Sequence, residues 1–95
     1  MSVFDAEVRK LAEKHRDRIP VLKVMCQLAA DAERLSGRPL FDAEAVRIHL
    51  GTTPPGNMSF FVNRGFVSAN DESRQHRYYD VPAWREIELA LRQLD

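Results

Sequence analysis

The predicted fold of this 95-residue chain depends on residues 52–81, which read TTPPGNMSFFVNRGFVSANDESRQHRYYDV. Thr53 followed by two prolines is typical of a helix start, because a proline in the first turn lacks an N–H that would have no partner there. Apolar side chains then recur at helical spacing, at Met58, Phe61 and Val62. Gly65 favours a helix end, since glycine adopts a positive φ at little cost. The pattern predicts a short helix over residues 54–64.

The residues after Gly65 predict a β-hairpin. An apolar pair, the turn-forming sequence NDES and two adjacent tyrosines follow one another along the chain. We therefore expect strands over residues 66–70 and 75–81. Upstream, the proline in residues 38–41 favours a short edge strand.

Helical periodicity predicts four further helices, over residues 3–16, 20–35, 42–50 and 82–94. Asp42 suits the N-cap of the third. The second has apolar side chains on more than one face, so we expect it at the centre of the fold. The apolar stripes of the first and last exceed what one small core needs, and we expect these two helices to form a dimer interface. The chain is thus predicted to be a single α+β domain that is mostly helical.

The order of helix, short connection, helix, Gly-hydrophobic-Val and hairpin resembles a winged helix-turn-helix domain over residues 38–81. Residues 71–77, DESRQHR, resemble the wing of MarR-type regulators, in which an acidic turn is followed by arginines three apart. The resemblance implies that the strand over residues 38–41 pairs with the hairpin in a small three-stranded sheet. It also implies a transcriptional regulator that binds double-stranded DNA as a homodimer. Two copies would place the helix over residues 54–64 in successive major grooves, with the wings flanking them.

The same stretch supports an alternative function. Thirteen residues separate Gly51 from Gly65, fewer than winged-helix regulators usually carry, and the helix begins with two prolines and a glycine. A short helix with little positive charge suits a protein partner as well as it suits DNA. The alternative is therefore a winged-helix adaptor that mediates protein–protein interaction without DNA binding.

A helix in the major groove needs hydrogen-bonding side chains on its outer side. The candidate DNA contacts on the helix and its start are Thr52, Thr53, Asn57, Ser59, Phe60, Asn63 and Arg64, and those in the wing are Arg74, Gln75, His76 and Arg77. The asparagines suit adenine edges, Phe60 suits a thymine methyl group, and the wing arginines suit phosphates or a minor groove. Three alternatives stay open: the asparagines are simply solvated, Phe60 belongs to the core beside Phe61, or the wing arginines form ion pairs within the hairpin.

The charge balance argues against a strong, sequence-independent grip on nucleic acid, because 14 basic side chains are matched by 14 acidic ones. Charge is nevertheless unevenly distributed, since residues 47–77 contain four arginines and two acidic residues. One face can therefore attract DNA although the net charge is zero.

No feature of the sequence points to catalysis. The three histidines lie far apart and no nucleotide-binding or catalytic motif occurs, so we expect no enzyme, no cofactor and no metal site. No apolar run approaches ~20 residues, and residues 1–10 lack the basic-then-apolar order of a secretory signal. The single cysteine, Cys26, cannot form an internal disulfide, which fits a reducing compartment. We expect a cytoplasmic protein that does not span a membrane.

Overall fold

The computed structural model describes residues 3–52, 58–70 and 78–94 of the chain. In chain order, the elements are α1 (Val3–Lys14), a 3-10 turn (Arg16–Arg18), α2 (Ile19–Ser36), β1 (Leu40–Asp42), α3 (Ala43–Leu50), α4 (Met58–Asn63), β2 (Ser68–Ala69), β3 (Tyr78–Asp80) and α5 (Trp84–Arg92). Within these ranges the chain is an α+β structure dominated by helices, with one small antiparallel sheet. The predicted fold class is confirmed at this level.

The bounds of α2 and α3 follow from local signals in the sequence. Pro20 lies in the first turn of α2, and Gly37 ends that helix with a φ of 82°. The Asp42 carboxylate accepts a hydrogen bond from Glu44 N–H at 2.9 Å and thereby caps the start of α3. The cap satisfies one of the amides that a helix start leaves unpaired. Both helices match their predicted bounds to within one residue.

The remaining helices are shorter than predicted. The first ends at Lys14 rather than at residue 16, because the chain tightens into the 3-10 turn, where Arg18 N–H donates to the His15 carbonyl oxygen at 2.9 Å. The last covers 84–92 rather than 82–94, since residues 82 and 83 form a turn before Trp84. Of the helix predicted over residues 54–64, α4 covers 58–63, and 54–57 lie outside the described residues.

The middle strand of the sheet is β3, in the order β1-β3-β2, and both pairings are antiparallel. Tyr79 lies opposite Phe41 on one side and opposite Ala69 on the other. The rings of Tyr79 and Phe41 stack with their centroids 5.8 Å apart. The expected third strand is thus present as β1, starting two residues later than predicted. Pro39 precedes it, and its carbonyl oxygen accepts a hydrogen bond from Val81 N–H at 2.8 Å.

A glycine turn joins α4 to β2 and shortens the predicted hairpin. Gly65 has a φ of 79° and donates its N–H to the Val62 carbonyl oxygen at 3.0 Å, while Phe66 N–H donates to the Phe61 carbonyl oxygen at 3.1 Å. The two bonds form a Schellman motif, a common helix end at glycine. Because Phe66 N–H closes the helix, the strand predicted from that residue begins only at Ser68. Part of the predicted return strand, residues 75–77, lies outside the described residues.

The core is built around α2. The buried side chains come mainly from three helices: Val21, Leu22, Met25, Cys26 and Ala29 from α2, Val8 and Leu11 from α1, and Ile87, Ala90 and Leu91 from α5. The helix α2 packs against α5, β1 and α3, and α1 packs against α5. The central position expected for α2 is therefore confirmed. A single chain already buries the stripes of α1 and α5, so a dimer interface on these helices needs other residues.

Alanine substitution at two leucines of α5 tests this packing. Leu91 is 2% exposed and Leu89 is 57% exposed. We expect Leu91→Ala to lower the free energy of unfolding by about 2–5 kcal/mol, because it leaves a cavity in the core. We expect Leu89→Ala to change it by less than about 0.5 kcal/mol. Urea unfolding followed by circular dichroism measures both, and equal losses would contradict this orientation of α5.

Candidate functional site

One side of α4 is open. Ser59 and Asn63 are exposed and lie four residues apart, which places them on the same side of the helix. The opposite side carries Phe61, which is buried in the core as predicted. Thr52 is also exposed, just beyond the end of α3. Three of the predicted contact residues are thus accessible to a partner.

Six of the predicted contact residues lie outside the described residues, namely Thr53, Asn57, Arg74, Gln75, His76 and Arg77. The alternative of ion pairs within the hairpin therefore stays a prediction. One acidic residue of the hairpin, Asp80, has the Arg38 guanidinium 3.9 Å from its carboxylate. The described part of the site consists of α4 and the side chains packed around it.

Phe60 is partly buried and packs against the core, which fits the alternative that it belongs to the core beside Phe61, and its role as a DNA contact stays a prediction. Its ring is half-buried, with the His15 and Phe61 rings at centroid distances of 4.9 and 5.1 Å. The guanidinium carbons of Arg18 and Arg64 lie over the ring, 3.9 and 3.6 Å from its centroid. The ring attracts them because its face carries partial negative charge. Four side chains thus contact the Phe60 ring and cover part of its surface.

Arg64 folds back over its own helix. Its Nη1 donates a hydrogen bond to the Phe60 carbonyl oxygen at 3.0 Å, one turn earlier. A positive charge at this position is favourable, because the last carbonyl oxygens of a helix carry partial negative charge. The remaining guanidinium N–H groups of Arg64 find no acceptor among the described residues. Arg64 therefore keeps hydrogen-bonding capacity for a ligand.

His15 and Arg18 form the other half of this cluster. Arg18 Nη1 lies 3.2 Å from His15 Nδ1. Because a guanidinium can only donate, His15 Nδ1 must accept, and the proton of the neutral ring is on Nε2. The Nε of Arg18 is buried and has no hydrogen-bond partner in the part of the chain that the structure describes. Sequence reasoning missed both residues, because they are more than 40 positions from Phe60 and read as a polar break between two helices.

The two guanidinium groups over Phe60 are not neutralised within the described part of the chain. Their distances to the ring centroid place the two guanidinium carbons at most 7.5 Å apart. Their mutual repulsion is about 2 kcal/mol at an effective dielectric constant of about 20, similar in size to the ring's attraction for them. Other arginines are paired with carboxylates, as are Arg34 with Asp31, Arg47 with Glu44, Arg85 with Glu33 and Arg92 with Glu88. The Phe60 cluster is thus a local concentration of positive charge.

A recess of about 150 Å³ lies beside this cluster, between α1 and the end of α4. Its lining consists of Glu7, Lys10, Leu11, Lys14, His15 and Arg64. The Lys10 ammonium is 3.6 Å from the Glu7 carboxylate. We call this cavity the basic recess, because its lining holds three cations and a single carboxylate.

The described part of the chain contains neither a metal-binding cluster nor a membrane-spanning helix. In residues 3–52, 58–70 and 78–94, no group of three His, Cys, Asp or Glu side chains is arranged to hold a metal ion. Over the same ranges, no helix combines the length and the apolar character needed to cross a bilayer.

A comparison of the chain with protein-family models, curated proteins and solved structures found no match.

A double-mutant cycle between Phe60 and Arg64 tests the cluster. Phe60→Leu and Arg64→Gln each remove one partner of the contact, and we expect a coupling of about 0.5–2 kcal/mol in the free energy of unfolding. The control cycle combines Phe60→Leu with Arg34→Gln, because Arg34 is exposed and pairs with Asp31. It should be additive to within about 0.5 kcal/mol. If both cycles are equally additive in urea unfolding, the contact between ring and guanidinium contributes nothing to stability.

Cys26 generates a prediction about pH. Burial and, to a smaller extent, the nearby Glu88 carboxylate raise the pKa of its thiol from 9.0 to about 12. Since the folded pKa is above the unfolded one, the stabilisation is complete below the unfolded pKa and is lost as the pH rises towards 12. Between about pH 9 and about pH 11, we expect wild-type protein to lose about 2 kcal/mol more stability than Cys26→Ala. Parallel curves of unfolding free energy against pH would contradict this.

Proposed function

We propose that this chain is a winged helix-turn-helix protein that binds double-stranded DNA. The observation that carries the proposal is the open side of α4, where Ser59 and Asn63 are exposed, on a helix that leads directly into an antiparallel sheet. The order α2, β1, α3, α4, β2, β3 supports it, because it follows the order of winged-helix domains. In helix-turn-helix proteins the second helix of the pair enters the major groove.

The chemistry of the open side suits base readout. An asparagine amide can donate to N7 of adenine and accept from its amino group, so Asn63 fits an adenine edge in the major groove. A serine hydroxyl such as that of Ser59 can contact either a base or a phosphate. Thr52 lies in the connection before α4, where a hydroxyl suits a backbone phosphate. Polar readout of this kind does not need a high net charge.

We expect the wing to supply most of the positive charge that contacts phosphates. Arg47, on α3, is committed to Glu44, and its hydrogen bond lowers the pKa of that carboxyl group. Arg64 is held over Phe60. By the resemblance to MarR-type wings, Arg74 and Arg77 then provide contacts to phosphates or to a minor groove.

Binding as a homodimer is part of the proposal. Two copies related by a dyad would read half-sites about one helical turn apart. The apolar side chain that α5 leaves available is Leu89, with Trp84 half-buried one turn earlier. Trp84 Nε1 donates to the Glu33 carboxylate, and the Arg85 guanidinium lies 4.8 Å from the indole ring centroid. This outer face of α5 is the surface through which we expect the copies to meet.

Substitution of Asn63 tests the proposed readout. Duplexes selected from random DNA by the purified protein provide the target, and fluorescence titration at low and moderate salt measures the affinity. We expect Asn63→Ala to weaken binding to the selected site by about 1–3 kcal/mol, because one bidentate contact to a base is lost. Binding to random duplex should not change. The matched control is Gln93→Ala, which removes an exposed amide beyond the end of α5 and should have no effect.

The wing is tested in the same titration. We expect Arg74→Ala combined with Arg77→Ala to weaken binding to every duplex and to lower the salt dependence by about two phosphate contacts. The half-site spacing of the selected duplexes reports the dimer. The proposal is wrong if wild-type protein binds no selected duplex at either salt concentration.

A protein-binding adaptor is the second candidate, and one observation favours it. Ile48 on α3 is 65% exposed. If α4 enters the major groove, α3 before it faces mainly the phosphates of the DNA backbone. An exposed large apolar side chain suits a protein partner better than a charged backbone. Absence of salt-sensitive DNA binding would leave this candidate as the better one.

A further inference from the structure

The basic recess holds positive charge that its own lining does not neutralise. Lys10, Lys14 and Arg64 are cationic, and Glu7 is the acidic side chain of the lining. Among the lining residues that the structure describes, three cations against one carboxylate leave two positive charges, and the carboxylate is already engaged by Lys10 at 3.6 Å. Arg18 adds a further cation behind His15, at 3.2 Å from its ring nitrogen.

The recess also holds hydrogen-bond donors in excess. A guanidinium has five N–H groups, and within residues 3–52, 58–70 and 78–94 one of those on Arg64 is used, by the Phe60 carbonyl oxygen. His15 uses Nδ1 as an acceptor for Arg18, so its remaining ring nitrogen is a donor. Lysine ammonium groups only donate. Apart from Glu7, the polar side chains of the lining therefore offer donors to an occupant.

From these features we infer that the basic recess binds a phosphate group. A phosphate carries a charge of about −1.5 to −2 and three acceptor oxygens, which matches both the two uncompensated charges and the excess of donors. Arginine contributes specificity, because its planar fork pairs with two oxygens of one phosphate. The volume of about 150 Å³ holds a group of this size, whereas sites for whole organic ligands are usually about 300 Å³ or more.

Contacts already present hold the recess in shape. The stack on Phe60 fixes Arg64 at 3.6 Å from the ring centroid, and the bond from Arg18 fixes the tautomer of His15. A site whose donors are positioned before binding loses less conformational entropy when the ligand arrives. A free phosphate or a phosphomonoester has this charge and these oxygens, and a DNA backbone phosphate shares the anionic acceptor oxygens but carries a single negative charge. The inference goes beyond the proposed DNA binding and does not need it to be correct.

A titration of the full chain with inorganic phosphate tests the inference. Phosphate replaces chloride at constant ionic strength, and ¹H–¹⁵N NMR follows the backbone amides. We expect saturable shifts at Lys14, His15 and Arg64, and an affinity at least about tenfold lower in the double variant Lys14→Gln, Arg64→Gln. Lys14→Gln alone, which leaves the Phe60 stack intact, should weaken binding about threefold. This single variant covers the case in which the double variant fails to fold.

The matched control removes two positive charges elsewhere. Arg34 and Arg92 are exposed and pair with Asp31 and Glu88 within their own helices. The double variant Arg34→Gln, Arg92→Gln should bind phosphate as wild-type protein does. The inference is overturned if wild-type protein shows no saturable shift, or if the control variant loses as much affinity as the recess variants.

A final arm distinguishes the source of the phosphate. The selected duplex is added to phosphate-saturated protein. Displacement of inorganic phosphate from Lys14 and Arg64 assigns the recess to a backbone phosphate, and simultaneous binding assigns it to a free phosphate or phosphomonoester. Either result supports the site. If no duplex binds, DNA binding fails as the proposed function, while the phosphate site stands or falls on its own titration.

Discussion

The burial of α2 is the constraint on which the rest of the structure depends. Its apolar side chains cover more than one face, so neighbours must cover it on several sides. The helix α5 and the pair β1 and α3 supply that cover, and α1 packs against α5. Burial of this apolar surface provides most of the free energy that holds so small a domain together. By contrast, α4 contributes one fully buried side chain, Phe61, and lies towards the edge of the structure.

The position of α4 at the edge explains why a cluster of cations surrounds Phe60. Two consecutive residues of an α-helix point about 100° apart, so Phe60 and Phe61 meet different surroundings. Phe61 is buried, and the partly buried Phe60 is covered by Arg18 and Arg64. Ser59 and Asn63, on the other side of α4 from Phe61, are exposed.

Zero net charge conceals a strongly uneven distribution. Exposed pairs within single helices, such as Arg34 with Asp31 and Arg47 with Glu44, neutralise charge locally and contribute little to stability. In the described residues, the basic recess has no such balance. Since a ligand responds to the local field rather than to the total charge, a neutral chain can still offer an anion site. The pI of about 6.8 therefore does not decide whether the chain binds phosphate groups.

The sequence by itself determined the features that depend on neighbouring residues. The bounds of α2 and α3, the Asp42 cap and the helix end at Gly65 all follow from residues within one turn of each other. The pattern of apolar side chains also placed α2 at the centre, and the proline at position 39 indicated an edge strand over 38–41, which the structure has at 40–42. These signals are local, so no knowledge of the packing was needed.

Only the tertiary structure decided what lies around Phe60. Helical spacing shows that two adjacent phenylalanines point in different directions, but not which side chains contact Phe60. The side chains that do so are His15 and Arg18, which are distant in sequence and reach Phe60 only when the segment after α1 lies beside α4. For the same reason, helical spacing predicts that the apolar stripes of α1 and α5 exceed what one core needs, although a single chain buries them. Contacts between distant segments depend on how the helices pack, and the spacing of residues along one helix does not encode that.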